Sequence, residues 1–291
     1  LEVSPLLAAD TAGTLAEARR LWAAVARANL MIKVPATPEG IPAVRQLIAE
    51  GINVNVTLLF AQDAYERVAE AYIAGLEALV ARGGDPAGVA SVASFFVSRI
   101  DTAIEAQIDA RLPNAADPRE QGLLKSLRGK VAIANARLAF QRYQELFGSP
   151  RWRALAARGA QTQRLLWAST GTKNASYRDV VYVEELIGAD TVNTIPPPTL
   201  TAFRDHGRPR ASLTEDLDCA FDTMRTLAET GVSLKATTDA LLADGIQAFV
   251  DAFRKLLAAV EAQSRGTGAT RIQRRFDRVL PPEFEAAVKE S

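Results

Sequence analysis

The strongest constraint on this 291-residue chain is an alternation: short apolar, β-branched stretches separated by long helical patterns. "LEVSP" (1–5) precedes a helix expected near 13–28, "LMIKVPA" (30–36) one near 39–50, and "INVNVTLLF" (52–60) one near 62–82. "VASVASFFV" (89–97) leads into a long helical region, and "LLWAST" (165–170) and "TVNTIP" (191–196) add two strands, the last running into "IPPPTL". Parallel strands with crossover helices imply either a doubly wound sheet or a closed barrel. No GxGxxG follows any strand and "STGTKN" is too weak a match, which argues against the dinucleotide-binding form.

Residues 98–163, between the fourth and fifth strands, exceed an ordinary βα loop and read as a helical insertion. Within it, "DPRE" and "SPRW" have the form of helix starts, with Asp117 or Ser149 at the N-cap and proline at the first helical position. A helix is expected near 214–230, and Phe249, Phe253, Leu256 and Leu257 give the spacing of a long amphipathic helix that would pack across a barrel. "RIQRRFDR" (271–278) reads as a solvated face.

Composition narrows the function classes. Thirty-four basic residues balance thirty-four acidic ones, which gives neither a nucleic-acid footprint nor a polybasic membrane surface. Cys219 and His206 are the single cysteine and histidine, so no internal disulfide and no metal-ligand spacing can be assembled; they read as a small core residue and a loop histidine. No apolar run reaches membrane-spanning length and no signal-peptide pattern is visible, so a cytoplasmic, metal-free protein acting on a small molecule is expected. The chain starts at Leu1, in the middle of a strand-like pattern, and upstream residues are expected.

Strand parity then groups the polar residues. Lys33 shares a face with Met31, opposite Ile32 and Val34; Asn53, Asn55 and Thr57 share one in the next strand. Glu2 goes with Ser4, Ser94 with Val92 and Phe96, Trp167 with Ser169, and Thr191 with Asn193. Each strand is thus expected to deliver a polar group toward its C-terminal end, where barrel enzymes place their chemistry. A strand lysine can also be an edge residue or snorkel from a core end. Beside Glu2, Asn55, Thr57 and Ser94 it reads as enclosed, because buried polar groups are costly unless they satisfy one another. An enclosed lysine serves as an amine nucleophile: desolvation disfavours ammonium, and the neutral amine attacks a carbonyl to give an imine, an electron sink for carbon–carbon cleavage.

At these residues the chain resembles the transaldolases, class I Schiff-base enzymes on a TIM (β/α)8 barrel. "LMIKVPATPEGIPAVRQLIAEGINVNVTLLF" is similar to the family's stretch from the imine lysine to the following strand, and "SVASFFVSRID" to its next segment. The resemblance implies Lys33 as the imine lysine, Glu2 as the carboxylate working through the catalytic water, and Thr57 as the hydroxyl positioning that water. It implies Asn55 as a substrate-hydroxyl contact, Phe96 as a substrate-site residue, and Ser94, Arg99 and Ser169 as groups holding the sugar phosphate. Lys173 is placed on the phosphate side by its loop alone. "LLWASTGTKN" and "VEELIGADTVNTIPPPTL" resemble the subtype found alone or fused to a phosphoglucose isomerase, so a fused isomerase domain or a second copy of the chain is the macromolecular partner implied.

A family member also has two strands ahead of "LEVSP", the first with an aspartate that moves protons at the carbon–carbon bond. The chain is therefore expected to hold about six βα units of a single incomplete barrel domain spanning 1–291, with its own turnover in question. Asp10 falls where the family starts a surface helix. The activity implied is transfer of a dihydroxyacetone unit from fructose 6-phosphate or sedoheptulose 7-phosphate to an aldose phosphate, in the pentose phosphate pathway, with no cofactor. The rival readings are a simple aldolase that releases the three-carbon unit, and a non-catalytic sugar-phosphate-binding fragment.

Overall fold

Five of the six expected stretches form strands: β1 (Ile32–Pro35), β2 (Val54–Leu59), β3 (Ser91–Phe96), β4 (Arg164–Ala168) and β5 (Thr191–Asn193). They make one parallel sheet in the order β1-β2-β3-β4-β5, each strand beside the next in sequence. Among the described strands the order has no reversal, and so none of the switch points that a doubly wound sheet contains. The sixth stretch is not a strand. Leu1–Val3 runs parallel to β1 through a single bridge, Glu2↔Lys33, with Lys33 N donating to Leu1 O at 2.7 Å and Val3 N to Lys33 O at 3.2 Å. Pro5 has no N–H for a ladder, and it opens a 3-10 turn, Pro5–Leu7, that Ser4 caps, so pairing stops there.

The computed structural model describes residues 1–265, and the chain divides into two compact units, Leu1–Ile246 and Gln247–Ser291. "RIQRRFDR" (271–278) lies outside the described residues. In the first unit, α1 (Thr11–Val25) precedes β1, α2 (Gly40–Ala49) joins β1 to β2, and α3 (Gln62–Ala81) leads from β2 toward β3. Four helices separate β3 from β4: α4 (Ser98–Arg111), α5 (Pro118–Ser126), α6 (Val131–Phe147) and α7 (Pro150–Ala156). Asp117 caps α5 through Glu120 N at 2.8 Å and Ser149 caps α7 through Trp152 N at 3.2 Å, each with proline next, as expected. Asp10 likewise caps α1 through Gly13 N at 2.9 Å.

Beyond β4 come α8 (Val181–Glu184), α9 (Pro197–His206), α10 (Leu217–Glu229) and α11 (Leu234–Arg265). Helix α9 occupies the proline-rich stretch after β5; proline is tolerated in a first helical turn, whose N–H groups have no partner within the helix. His206 is therefore the last residue of a helix rather than a loop residue. Cys219 is exposed rather than in the core: on α10 it is the neighbouring Ala220 that packs with Ala134 and Leu138 of α6, and adjacent helical residues point about 100° apart. In the part of α11 within the second unit, Phe249 and Phe253 are half-buried while Leu256 and Leu257 are exposed. No helix among the described residues is long and apolar enough to cross a membrane.

Ile32, Val34, Val54 and Val56 are fully buried. In β1 and β2 the burial pattern breaks once per strand, at Lys33 and at Asn55.

Candidate active site

Those two breaks are neighbours. The register sets Glu2 against Lys33, Lys33 against Asn55 and Asn55 against Val92, one row on one face of the sheet. Lys33 Nζ lies 3.8 Å from Glu2 Oε2, and both side chains keep about a third of their surface, 30% and 34%. Burial raises the Glu2 carboxyl above its ordinary pKa, and the Lys33 ammonium opposes the rise. Ser94, almost fully buried, donates to Asn55 Oδ1 at 2.7 Å and fixes that side chain. Lys33 and Glu2 are therefore partly exposed rather than enclosed, and they share with the fixed Asn55 amide the row that parity predicts.

Thr57 is fully buried, and its Oγ1 has no hydrogen-bond partner among the described residues. It sits where the β2–β3 register slips between Val56 and Leu59, and Leu58 there has φ 61°. A bulky residue at positive φ is strained, and a bulge re-aims the side chains around it, here just past Asn55, the register partner of Lys33. Phe96 supports Arg99, whose guanidinium carbon stands 5.2 Å from the ring centroid, and Phe60 backs Phe96 at 5.1 Å.

Parity misplaces β4 and β5. Trp167 is in register with Phe95 and meets its ring edge-on at 6.2 Å, on the face opposite Ser94 and Phe96; Thr191 and Asn193 follow Trp167. The Ser94 face of β4 carries Leu166 and Ala168 instead. Ser169 escapes the alternation because its φ is 57°, in the left-handed region. Its Oγ lies 3.1 Å from Ser98 Oγ, and its carbonyl accepts from Ser98 N at 3.1 Å. These bonds tie the end of β4 to the start of α4, the helix whose second residue is Arg99. Ser98, buried, was missed in the sequence; the signal was a serine at the first turn of a helix, directly before the arginine. Lys173 is exposed on the loop after β4, off this tie. Among the described residues no group of His, Cys, Asp and Glu is placed to hold a metal ion.

A model of the transaldolase/fructose-6-phosphate aldolase family matches residues 1–260. The chain belongs to this family. It is similar to the transaldolase of Trichodesmium erythraeum, 48% identical over 263 residues that cover 90% of this chain and 69% of the relative. Similar too are the transaldolases of Frankia alni, 46% identical with coverage of 93% and 71%, and of Thiobacillus denitrificans, 48% identical with coverage of 89% and 70%. The family match takes in the whole row from Glu2 to Ser94, Arg99, Ser169 and the loop with Lys173.

Proposed function

We propose that the chain is a transaldolase whose Lys33 forms a Schiff base with the ketose carbonyl. The row Glu2–Lys33–Asn55, with Ser94 fixing Asn55, carries the reading, because it places an amine beside a carboxyl group that holds its proton more tightly than usual. Lys33 Nζ attacks C2 of fructose 6-phosphate; the carbinolamine loses water and becomes a protonated imine. Glu2, through a water held by Thr57 Oγ1, moves the protons that this loss and the later hydrolysis require. The imine accepts the electron pair of the C3–C4 bond as glyceraldehyde 3-phosphate leaves. The bound three-carbon enamine then attacks the aldehyde of erythrose 4-phosphate, and hydrolysis releases sedoheptulose 7-phosphate and Lys33. Asp10 takes no part, since its carboxylate caps α1; in the family that the chain resembles, the carboxylate that takes the C4 hydroxyl proton stands on a strand ahead of the one matching "LEVSP".

Arg99 and Ser169 hold the phosphate, a dianion suited to a guanidinium with fixed donors around it. The architecture we infer is a (β/α)8 barrel, in which Leu1–Val3 and β1 to β5 are consecutive staves and the row lies inside. Product analysis tests the activity. With fructose 6-phosphate and erythrose 4-phosphate, glyceraldehyde 3-phosphate and sedoheptulose 7-phosphate should form together. Dihydroxyacetone release at an equal rate without an acceptor would mark a simple aldolase, and phosphate-ester binding without either product a non-catalytic binder.

A further inference from the structure

Beyond β4 the chain enters the loop 170–180, which carries Lys173, and this loop is fastened from outside the site. Glu105, nearly buried on α4, accepts hydrogen bonds from Tyr177 Oη and, at 3.0 Å, from Asn174 Nδ2. The Tyr177 ring lies against Gly129, whose φ is +68°; a Cβ there would come within 3.0 to 3.3 Å of three ring carbons. One turn earlier on α4, Asp101 accepts from Tyr182 Oη and from Ala132 N, both at 2.8 Å. Thr172 Oγ1 donates across the loop to Arg178 O at 3.1 Å and Asp179 O at 3.0 Å, drawing its limbs together.

Two carboxylates one turn apart on a helix repel each other, and burial makes both more costly. Apolar contacts would hold a loop to a helix with less penalty, whereas directed bonds fix one geometry. The geometry fixed here has a specific content. The helix that starts with Ser98 and Arg99 also anchors, through Glu105, the residue directly after Lys173. Helix α4 thus carries Arg99 in its first turn and holds the residue after Lys173 two turns further on.

We propose that Glu105 and Tyr177 are positioning residues that hold the 170–180 loop so that Lys173 closes the phosphate side of the site opposite Arg99, which makes this clasp a determinant of selectivity for phosphorylated substrates. The inference rests on the sugar-phosphate reading above. Released from the clasp, the loop must be ordered when the phosphate binds, and that cost falls on phosphorylated substrates alone.

The test compares Tyr177→Phe, Glu105→Ala and the conservative Glu105→Gln, which keeps an acceptor. KM and kcat are measured with erythrose 4-phosphate and with erythrose as acceptors, and calorimetry follows inorganic phosphate binding. Tyr177→Phe and Glu105→Ala should each raise KM for erythrose 4-phosphate and weaken phosphate binding about tenfold, with kcat within about twofold and erythrose unaffected. Glu105→Gln, left with one acceptor for two donors, should show a loss between those of the parent chain and Glu105→Ala. Equal losses on both acceptors, or unchanged phosphate binding by folded variants, would overturn the clasp. Borohydride trapping of the same proteins keeps the two ideas apart: an adduct on Lys33 with unaltered selectivity sinks the clasp alone. A parent chain without the adduct sinks the Schiff-base reading, while the phosphate titrations still decide the clasp.

Discussion

Asn53 and Asn55 stand two residues apart, on one side of the same stretch of chain, and are treated in opposite ways. Asn53 is buried and fully engaged: Nδ2 donates to Ala28 O at 3.0 Å and Leu30 O at 3.1 Å, and Oδ1 accepts from Ala90 N at 2.8 Å. It stitches the approaches to β1 and β3 together where the strands begin. Asn55 is half-buried, in the row with Lys33 and Glu2, its Oδ1 held by Ser94. The contrast extends to the ends of the strands. Around the starts of β2 and β3, Ser91 Oγ donates to Val54 O at 2.7 Å and accepts from Gln163 Nε2 at 2.9 Å. Around the ends stand the unpartnered Thr57 hydroxyl and the left-handed Leu58 and Ser169. One rim is built for stability, and the other tolerates strain where a substrate would be handled.

The sharpest way to break this division is at Lys33. Lys33→Met should cut turnover by about 10⁴-fold or more while leaving the fold intact, since the residue is half-exposed and is the proposed nucleophile. A large drop in melting temperature with activity retained would place Lys33 on the structural side.

The two asparagines come next. Asn53→Ala leaves two part-buried carbonyls and one part-buried N–H without their partner, a loss of about 1 to 3 kcal/mol in stability by urea unfolding, with kcat of the folded fraction nearly unchanged. Asn55→Ala should show the reverse, under about 1 kcal/mol in stability and at least about tenfold in kcat/KM. Similar profiles for the pair would erase the distinction between the rims.

Arg99→Ala should raise KM for phosphorylated substrates by about 10- to 100-fold and alter a non-phosphorylated acceptor little, because a charge-assisted contact to the dianion is lost. Equal effects on both would make Arg99 a packing partner of Phe96.

The smallest effect concerns Asp101, whose burial, helped by the Glu105 charge, pushes its carboxyl up to about 6 against the bonds from Ala132 and Tyr182. Between about pH 4 and 6 the folded chain therefore keeps a proton there that the unfolded chain gives up. The stability this group contributes is whole below that window and is lost as pH rises through about 6. Asp101→Asn should flatten the fall between pH 4 and 7, measured as unfolding midpoints of the two proteins. Parallel curves would put the titration elsewhere.

Periodicity was enough to find β1 to β5 and the helices with Asp117 and Ser149 at their caps, because both are local properties. It also grouped Lys33, Asn55 and Ser94 correctly, since alternation holds inside an unbroken strand. It failed where a tertiary fact decides. Parity pairs Trp167 with Ser169 but does not say which face they take; the register with Phe95 does, and the left-handed Ser169 then departs from it. The bulge at Leu58 has no glycine to announce it. Cys219 has ordinary core chemistry, and only the seating of Ala220 against α6 shows that it points away. The clasp at Glu105 joins residues 72 apart in sequence, beyond the reach of any local pattern.

The central claim is that Lys33 is the covalent centre of the active rim. Incubating the protein with fructose 6-phosphate, reducing with borohydride and mapping peptides by mass should place one sugar-derived adduct on the peptide holding Lys33, and none in Lys33→Met. An adduct on Lys173 or another lysine, with Lys33 unmodified, would contradict the account.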